Sequence, residues 1–329
     1  MKFIRSLIVL CVMFGGQAYA APPAAFVTLC AGVAPPAGAT VTAEEVMVQG
    51  VARYYCLFKP SSYPIANTDH RVLYAFHGGN QNAQRLMLAS KGIMAEAEAR
   101  DYVVVFAQGT DQDTCGIDYT ENANWTDTNC AAVSNVEYTR RLMKRVAATN
   151  QVEENQVQLA GFSGGSKHIY RMVKQWSATD KKIRSLATMA GSVGKLSFGK
   201  HRDGVEFINI MEGKQVNAML LQGGSDNRMP INGGISDRER EVSVGFNFKV
   251  DMFRALNAAR ATSGAINTGA SNELPVVAGL AVGLVGLPVG SIANEYVDAK
   301  TVISIEDPSL GHSWPSWYGP VAFDFFDRF

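Results

Sequence analysis

The chain has 329 residues, of which 47% are hydrophobic and 18% charged, and its 30 basic and 30 acidic side chains cancel to a net charge of zero. That length and apolar content suit one large α/β domain or two small ones. The even charge balance argues against nucleic acid or an anionic membrane surface as the main partner.

Lys2 and Arg5 precede an apolar run over 7–14, and Ala18–Tyr19–Ala20 supplies a small-x-small cleavage site. The pattern predicts a secretory signal over 1–20 and a single domain over 21–329, secreted or periplasmic. A membrane anchor needs about 20 apolar residues, and this run is shorter. Removal of the signal leaves Cys30, Cys56, Cys115 and Cys130. An even set in an exported chain reads as disulfides rather than metal ligands. Three pairings are open, and Cys30–Cys56 with Cys115–Cys130 is the sequence-local choice. No C-x-x-C or His-x-His spacing points to zinc, so neither metal nor organic cofactor is expected.

Residues 21–44 are rich in Ala and Pro and read as an irregular lead-in. The segment 46–58 alternates as a strand pair broken at Gln49–Gly50. An apolar run over 72–76 ends in His77–Gly78–Gly79–Asn80. A helix over 83–100, a buried-type strand over 102–107 and a helix over 136–148 follow. Next come a strand over 157–160, a helix over 166–176, and strands over 183–190 and 216–222. Helix-like sequence over 239–256, a strand over 301–305 and a closing helix over 321–329 complete the order. This alternation predicts a mainly parallel sheet with helices on both faces. The Gly/Val/Leu-rich stretch 276–290, interrupted by Pro288, reads as a sheet-flanking insertion or a cap. Asn124–Trp125–Thr126 matches a glycosylation acceptor.

Gly161–Phe162–Ser163–Gly164–Gly165 spells G-x-S-x-G between a strand and a helix. A serine on such a sharp turn is pushed out of the sheet with its hydroxyl exposed. A hydroxyl is a poor nucleophile and needs a base, itself oriented by an acid. In this arrangement the partners follow in the order Ser, Asp or Glu, His. Leu220–Leu221–Gln222–Gly223–Gly224–Ser225–Asp226 runs from a strand into a glycine turn, placing Asp226 beyond a strand's carboxyl end, where open α/β sheets carry their sites. Asp203 and Asp237 are rivals, but neither ends an apolar run. Of five histidines, His70, His77, His168 and His201 precede the position expected of the base. His312 is left, in Gly311–His312–Ser313–Trp314–Pro315. Oxyanion donors are expected at the backbone N–H of Gly164 and in the His77–Asn80 loop, with Gly79 preferred to Gly78 or Asn80. Asn80, Trp125 and Trp314 are candidates for contacting substrate, although core packing would equally explain the two tryptophans.

With these residues placed, the chain resembles the secreted polyhydroxybutyrate depolymerase and feruloyl/acetylxylan esterase family of α/β-hydrolases. The likeness runs through Gly50–Val51–Ala52–Arg53–Tyr54–Tyr55, His77–Gly78–Gly79, Val103–Val104–Val105–Phe106–Ala107–Gln108–Gly109, Trp125, Asn135–Val136–Glu137–Tyr138, the serine turn, Gln222–Gly223–Gly224–Ser225–Asp226 and Gly311–His312–Ser313–Trp314–Pro315. The resemblance implies Ser163 as nucleophile, Asp226 as acid and His312 as base, acting on a carboxylic ester. Poly(3-hydroxybutyrate) or its oligomers is the first expected substrate, and a feruloyl or acetyl ester on plant polysaccharide the second. Departures lie at Lys167, His168 and Tyr170, where the family has small residues, at Gln222, and over 262–300. A polymer-binding protein without turnover is the expectation of another class, and peptidase activity a weaker one.

Overall fold

Strands β1 (Thr40–Val48) and β2 (Val51–Lys59) form an antiparallel hairpin whose two-residue turn is Gln49–Gly50. Both turn residues have positive φ, 51° and 82°, as the tight turns that match strand twist require. The computed structural model describes residues 21–64, 69–111, 123–125, 134–175, 183–191, 215–232, 234–235, 242–243, 246, 249–250, 252–253, 284, 287–297 and 300–329. Further strands are β3 (His70–Phe76), β4 (Tyr102–Ala107), β5 (Thr110–Asp111), β6 (Ala123–Asn124), β7 (Val152–Phe162), β8 (Ile183–Met189), β9 (Asn217–Gly223), β10 (Gly234–Ile235), β11 (Val242–Ser243), β12 (Ile292–Val297) and β13 (Thr301–Asp307).

Nine of them form one sheet in the order β1-β2-β4-β3-β7-β8-β9-β13-β12. The pairs from β4 to β13 are parallel, with antiparallel pairs at both margins. The helices are α1 (Ala24–Ala31), α2 (Ala83–Ala89), α3 (Lys91–Ala99), α4 (Asn135–Thr149), α5 (Gly164–Gln175) and α6 (Tyr318–Asp327). Side chains alternate across the pleat, so one strand feeds two cores. On β3, Val72, Tyr74 and Phe76 join residues of α4 and α5, whereas Leu73 and Ala75 join residues of α1, α2, α3 and α6. Helices therefore cover both faces of a mainly parallel sheet. This is the architecture expected from the sequence.

Three local expectations change. The lead-in contains α1, which buries Phe26, Leu29 and Cys30, and β1 begins at Thr40. The 83–100 helix is two helices meeting at Ser90, whose ψ of 46° is not helical. An edge strand, β12, lies at 292–297, where no element was expected. Cys30 and Cys56 form a disulfide with Cα atoms 5.6 Å apart. Cys115 and Cys130, the signal segment 1–20 and most of 276–290 lie outside the described residues.

Candidate active site

Four parallel strands (β3, β7, β9 and β13, with β8 between β7 and β9) carry the candidate residues at their carboxyl ends. β7 ends at Phe162 and α5 begins at Gly164, so Ser163 alone makes the turn, with φ of 50°. Its neighbours have no room for side chains. A Cβ on Gly165 would lie 2.2 Å from the Phe76 carbonyl oxygen, and one on Gly161 would lie 2.7 Å from Ile169 Cδ1. The Ser163 N–H is anchored to the Met189 carbonyl at 2.8 Å.

His312 reaches back from the loop after β13. Its Nε2 lies 2.9 Å from Ser163 Oγ and its Nδ1 lies 2.8 Å from Asp226 Oδ2. The acid and base loops are in backbone contact, since a Cβ on Gly223 would stand 2.1 Å from the Leu310 carbonyl oxygen. The Ser225 N–H donates to that carbonyl at 3.1 Å. The imidazole also packs on Phe162, with ring centroids 5.1 Å apart.

The Asp226 side chain is fully buried and fully engaged. Oδ1 accepts the backbone N–H groups of Arg228 (2.9 Å) and Met229 (2.8 Å), while Oδ2 accepts Gln222 Nε2 at 3.1 Å besides the imidazole. An ionised carboxylate only accepts, so Nδ1 carries the proton and Nε2 is left to accept from the serine hydroxyl. Gln222 Nε2 also donates to the Met229 carbonyl at 2.7 Å, and Gln222 Oε1 accepts from Lys249 Nζ at 3.1 Å. Lys249 is itself buried, and burial pushes its pKa down to about 7 against the opposing pull of the Asp226 charge.

The loop after β3 approaches the serine from the other side. His77 is completely buried, and burial pushes its pKa down to about 4, so it is neutral. The Gly109 N–H donates to its Nε2 at 3.0 Å. The proton then sits on Nδ1, which donates to the Gly78 carbonyl at 2.7 Å. In a trans peptide the next N–H points away from that carbonyl, so the Gly79 N–H faces away from His77. Gly79 N lies 2.8 Å from where a Cβ on Gly164 would stand, which sets the two amides side by side. The Gly78 N–H is instead taken by Gln81 Oε1 at 3.1 Å. Gly164, the first residue of α5, has no intrahelical partner for its own N–H.

Asn80 is exposed beside this loop, with φ of 55°. Trp314 is half-buried against Phe162 and Tyr318, at ring-centroid distances of 5.7 Å and 4.3 Å. Trp125 requires a correction: only 2% exposed, it donates from Nε1 to the His77 carbonyl at 2.8 Å and stacks on His168. It is buried and supports the loop from beneath. Of the other histidines, His168 Nε2 lies 2.9 Å from Thr139 Oγ1 and His70 Nδ1 lies 3.0 Å from the Asp101 carbonyl. His201, Asp203 and Asp237 lie outside the described residues. Sequence reasoning missed the supporting polar groups Gln81, Gln222 and Lys249. Only Gln222 had a local signal, four residues before Asp226 across a glycine turn.

No known family profile matches the chain, and no curated protein matches it. Solved structures do. An S-formylglutathione hydrolase from Agrobacterium tumefaciens superposes with a TM-score of 0.53 at 10% identity, covering 88% of this chain and 93% of that one. A ferulic acid esterase gives 0.52 at 14%, covering 88% and 98%. A structure designated FAE gives 0.52 at 11%, covering 94% and 93%. At such identities the likeness speaks for the fold. The chain adopts the α/β-hydrolase fold, and its structural neighbours include esterases.

Proposed function

We propose that this protein is a secreted serine esterase that hydrolyses carboxylic esters through an acyl-enzyme. The reading is carried by one observation: the unbroken line of hydrogen-bonding contacts from Ser163 through His312 to buried Asp226. Nε2 of His312 takes the hydroxyl proton as Ser163 Oγ bonds to the ester carbonyl carbon. The carbonyl electron pair moves onto oxygen, where the Gly79 and Gly164 N–H groups receive it. Collapse expels the alkoxide, which takes the proton from the imidazolium, leaving acyl-Ser163. Water then repeats both steps and releases the acid. Asp226 holds the tautomer and stabilises the imidazolium. No metal or organic cofactor enters this sequence.

Poly(3-hydroxybutyrate) or its oligomers is the first substrate, on the strength of the motifs around the serine and histidine loops. A feruloyl or acetyl ester is the second, favoured by the fold shared with a ferulic acid esterase. Export to the periplasm or medium is supported by the basic-apolar-small leader and is compatible with the Cys30–Cys56 disulfide. The mature protein is to be assayed on p-nitrophenyl butyrate, hydroxybutyrate film and methyl ferulate. Turnover is expected to fall at least about 10⁴-fold in Ser163→Ala and His312→Ala, and about as far in Asp226→Asn. Binding to polymer without triad-dependent turnover on any of these esters would instead favour a non-catalytic protein.

A further inference from the structure

Behind the acid lies a polar group that the reaction above does not use. Lys249 is 4% exposed and Gln222 1% exposed, and an ammonium is rarely buried so deeply without a task. Lys249 Nζ makes two contacts, to the Gly191 carbonyl at 2.7 Å and to Gln222 Oε1 at 3.1 Å. Nζ donates in both contacts, and the Asp226 carboxylate and Met229 carbonyl, which only accept, set which end of the Gln222 amide faces them.

With Oε1 held by Lys249, Nε2 turns toward Asp226 and spends its two hydrogens on Asp226 Oδ2 (3.1 Å) and the Met229 carbonyl (2.7 Å). The flipped amide would set its carbonyl oxygen against both a carboxylate and a second carbonyl, and would forfeit the bond from Lys249 Nζ. The oxygen that Gln222 reaches is the one that binds His312 Nδ1. Among the described residues, Asp226 is the charged group acting on Lys249, and the nearest ring is Phe246, whose centroid lies 5.1 Å from Nζ.

We infer that Lys249 and Gln222 are positioning residues for catalysis: a buried donor relay that fixes the orientation of Asp226 Oδ2 and through it the imidazole of His312. The inference rests on the esterase reading, but it concerns alignment, which has its own readout. Neither side chain touches substrate, so their loss acts on the chemical step and leaves binding alone.

The test uses Gln222→Met, Lys249→Met and the double variant in the mature protein, near-isosteric changes that remove the polar ends. With p-nitrophenyl butyrate, kcat is expected to fall about tenfold in Gln222→Met and several-fold in Lys249→Met, with KM within about twofold of wild type. Because the relay from Lys249 to Asp226 Oδ2 runs through Gln222, the double variant is expected to be little worse than Gln222→Met alone. The downfield proton NMR signal of the Nδ1–H shared with Asp226 is expected to move or broaden in all three. Additive losses, a change confined to KM, or an unmoved downfield signal in folded variants would overturn the relay. Should Lys249→Met fail to fold, Gln222→Met and its NMR signal decide. If Ser163→Ala retains turnover, the esterase reading fails and the NMR arm still judges the alignment.

Discussion

Ser163 holds a backbone conformation, φ of 50°, that costs a residue bearing a Cβ on the order of 1–2 kcal/mol. The fold tolerates it because Gly161 and Gly165 let the chain pass through a space that side chains would fill. Removing the Cβ should relieve that strain. Ser163→Gly is expected to unfold at equal or higher denaturant concentration than wild type while losing at least about 10⁴-fold in turnover. A clear loss of stability would show that the strain argument is wrong. His77 gives a second prediction. Its pKa falls from 6.5 to about 4 on burial, and His168 is pushed down in the same direction. The unfolded chain binds these protons first as pH drops, so stability is full above about 6.5 and declines as pH falls toward 4. His77 alone contributes on the order of 3 kcal/mol to that decline. The melting temperature should drop across this window, and a flat profile would contradict neutral, buried histidines.

The turns between elements are where backbone contact is tightest. Gly165→Ala would drive a methyl against the Phe76 carbonyl oxygen, itself part of the sheet, and is expected to cost about 3 kcal/mol in urea denaturation. An effect below 1 kcal/mol would mean that α5 can retreat from β3. The Cys30–Cys56 bond ties α1 to β2 across a separation of 26 residues. Replacing both cysteines by alanine should cost about 3 kcal/mol and leave the turnover of the folded fraction unchanged. Most elements were legible in the sequence because punctuation and period agreed, as at the Gln49–Gly50 turn. Others lacked punctuation. Ser90 interrupts a helix, its Oγ donating to the Leu86 carbonyl, and the nearby glycine, Gly92, lies within the next helix rather than at the break. Around α1 the i, i+3, i+4 spacing of Phe26, Leu29 and Cys30 was present but masked by flanking Ala and Pro. β12 is an edge strand of mixed polarity, and such strands carry weak alternation.

For the molecule as a whole, strand order explains why residues 77, 163, 226 and 312 meet. β3, β7, β9 and β13 point the same way, with β8 between β7 and β9, so their carboxyl ends share one rim. Chain order and glycine turns pointed to Ser163, Asp226 and His312, which the fold brings within hydrogen-bonding distance. The shell behind them was not legible, because Lys249 meets Gln222 only in three dimensions and a buried tryptophan looks like an exposed one in sequence. The proposed leader makes a separate prediction: terminal sequencing of the mature protein should begin at Ala21, and a chain that keeps residues 1–20 would contradict export by cleavage. The proposed reaction requires the fold to make one hydroxyl nucleophilic, and stoichiometric labelling by diisopropyl fluorophosphate, mapped by mass spectrometry, reads that out most directly. One adduct on Ser163 is predicted, forming at least about 10³-fold more slowly in His312→Ala. Labelling at another residue, or equal rates with and without the imidazole, would contradict the account.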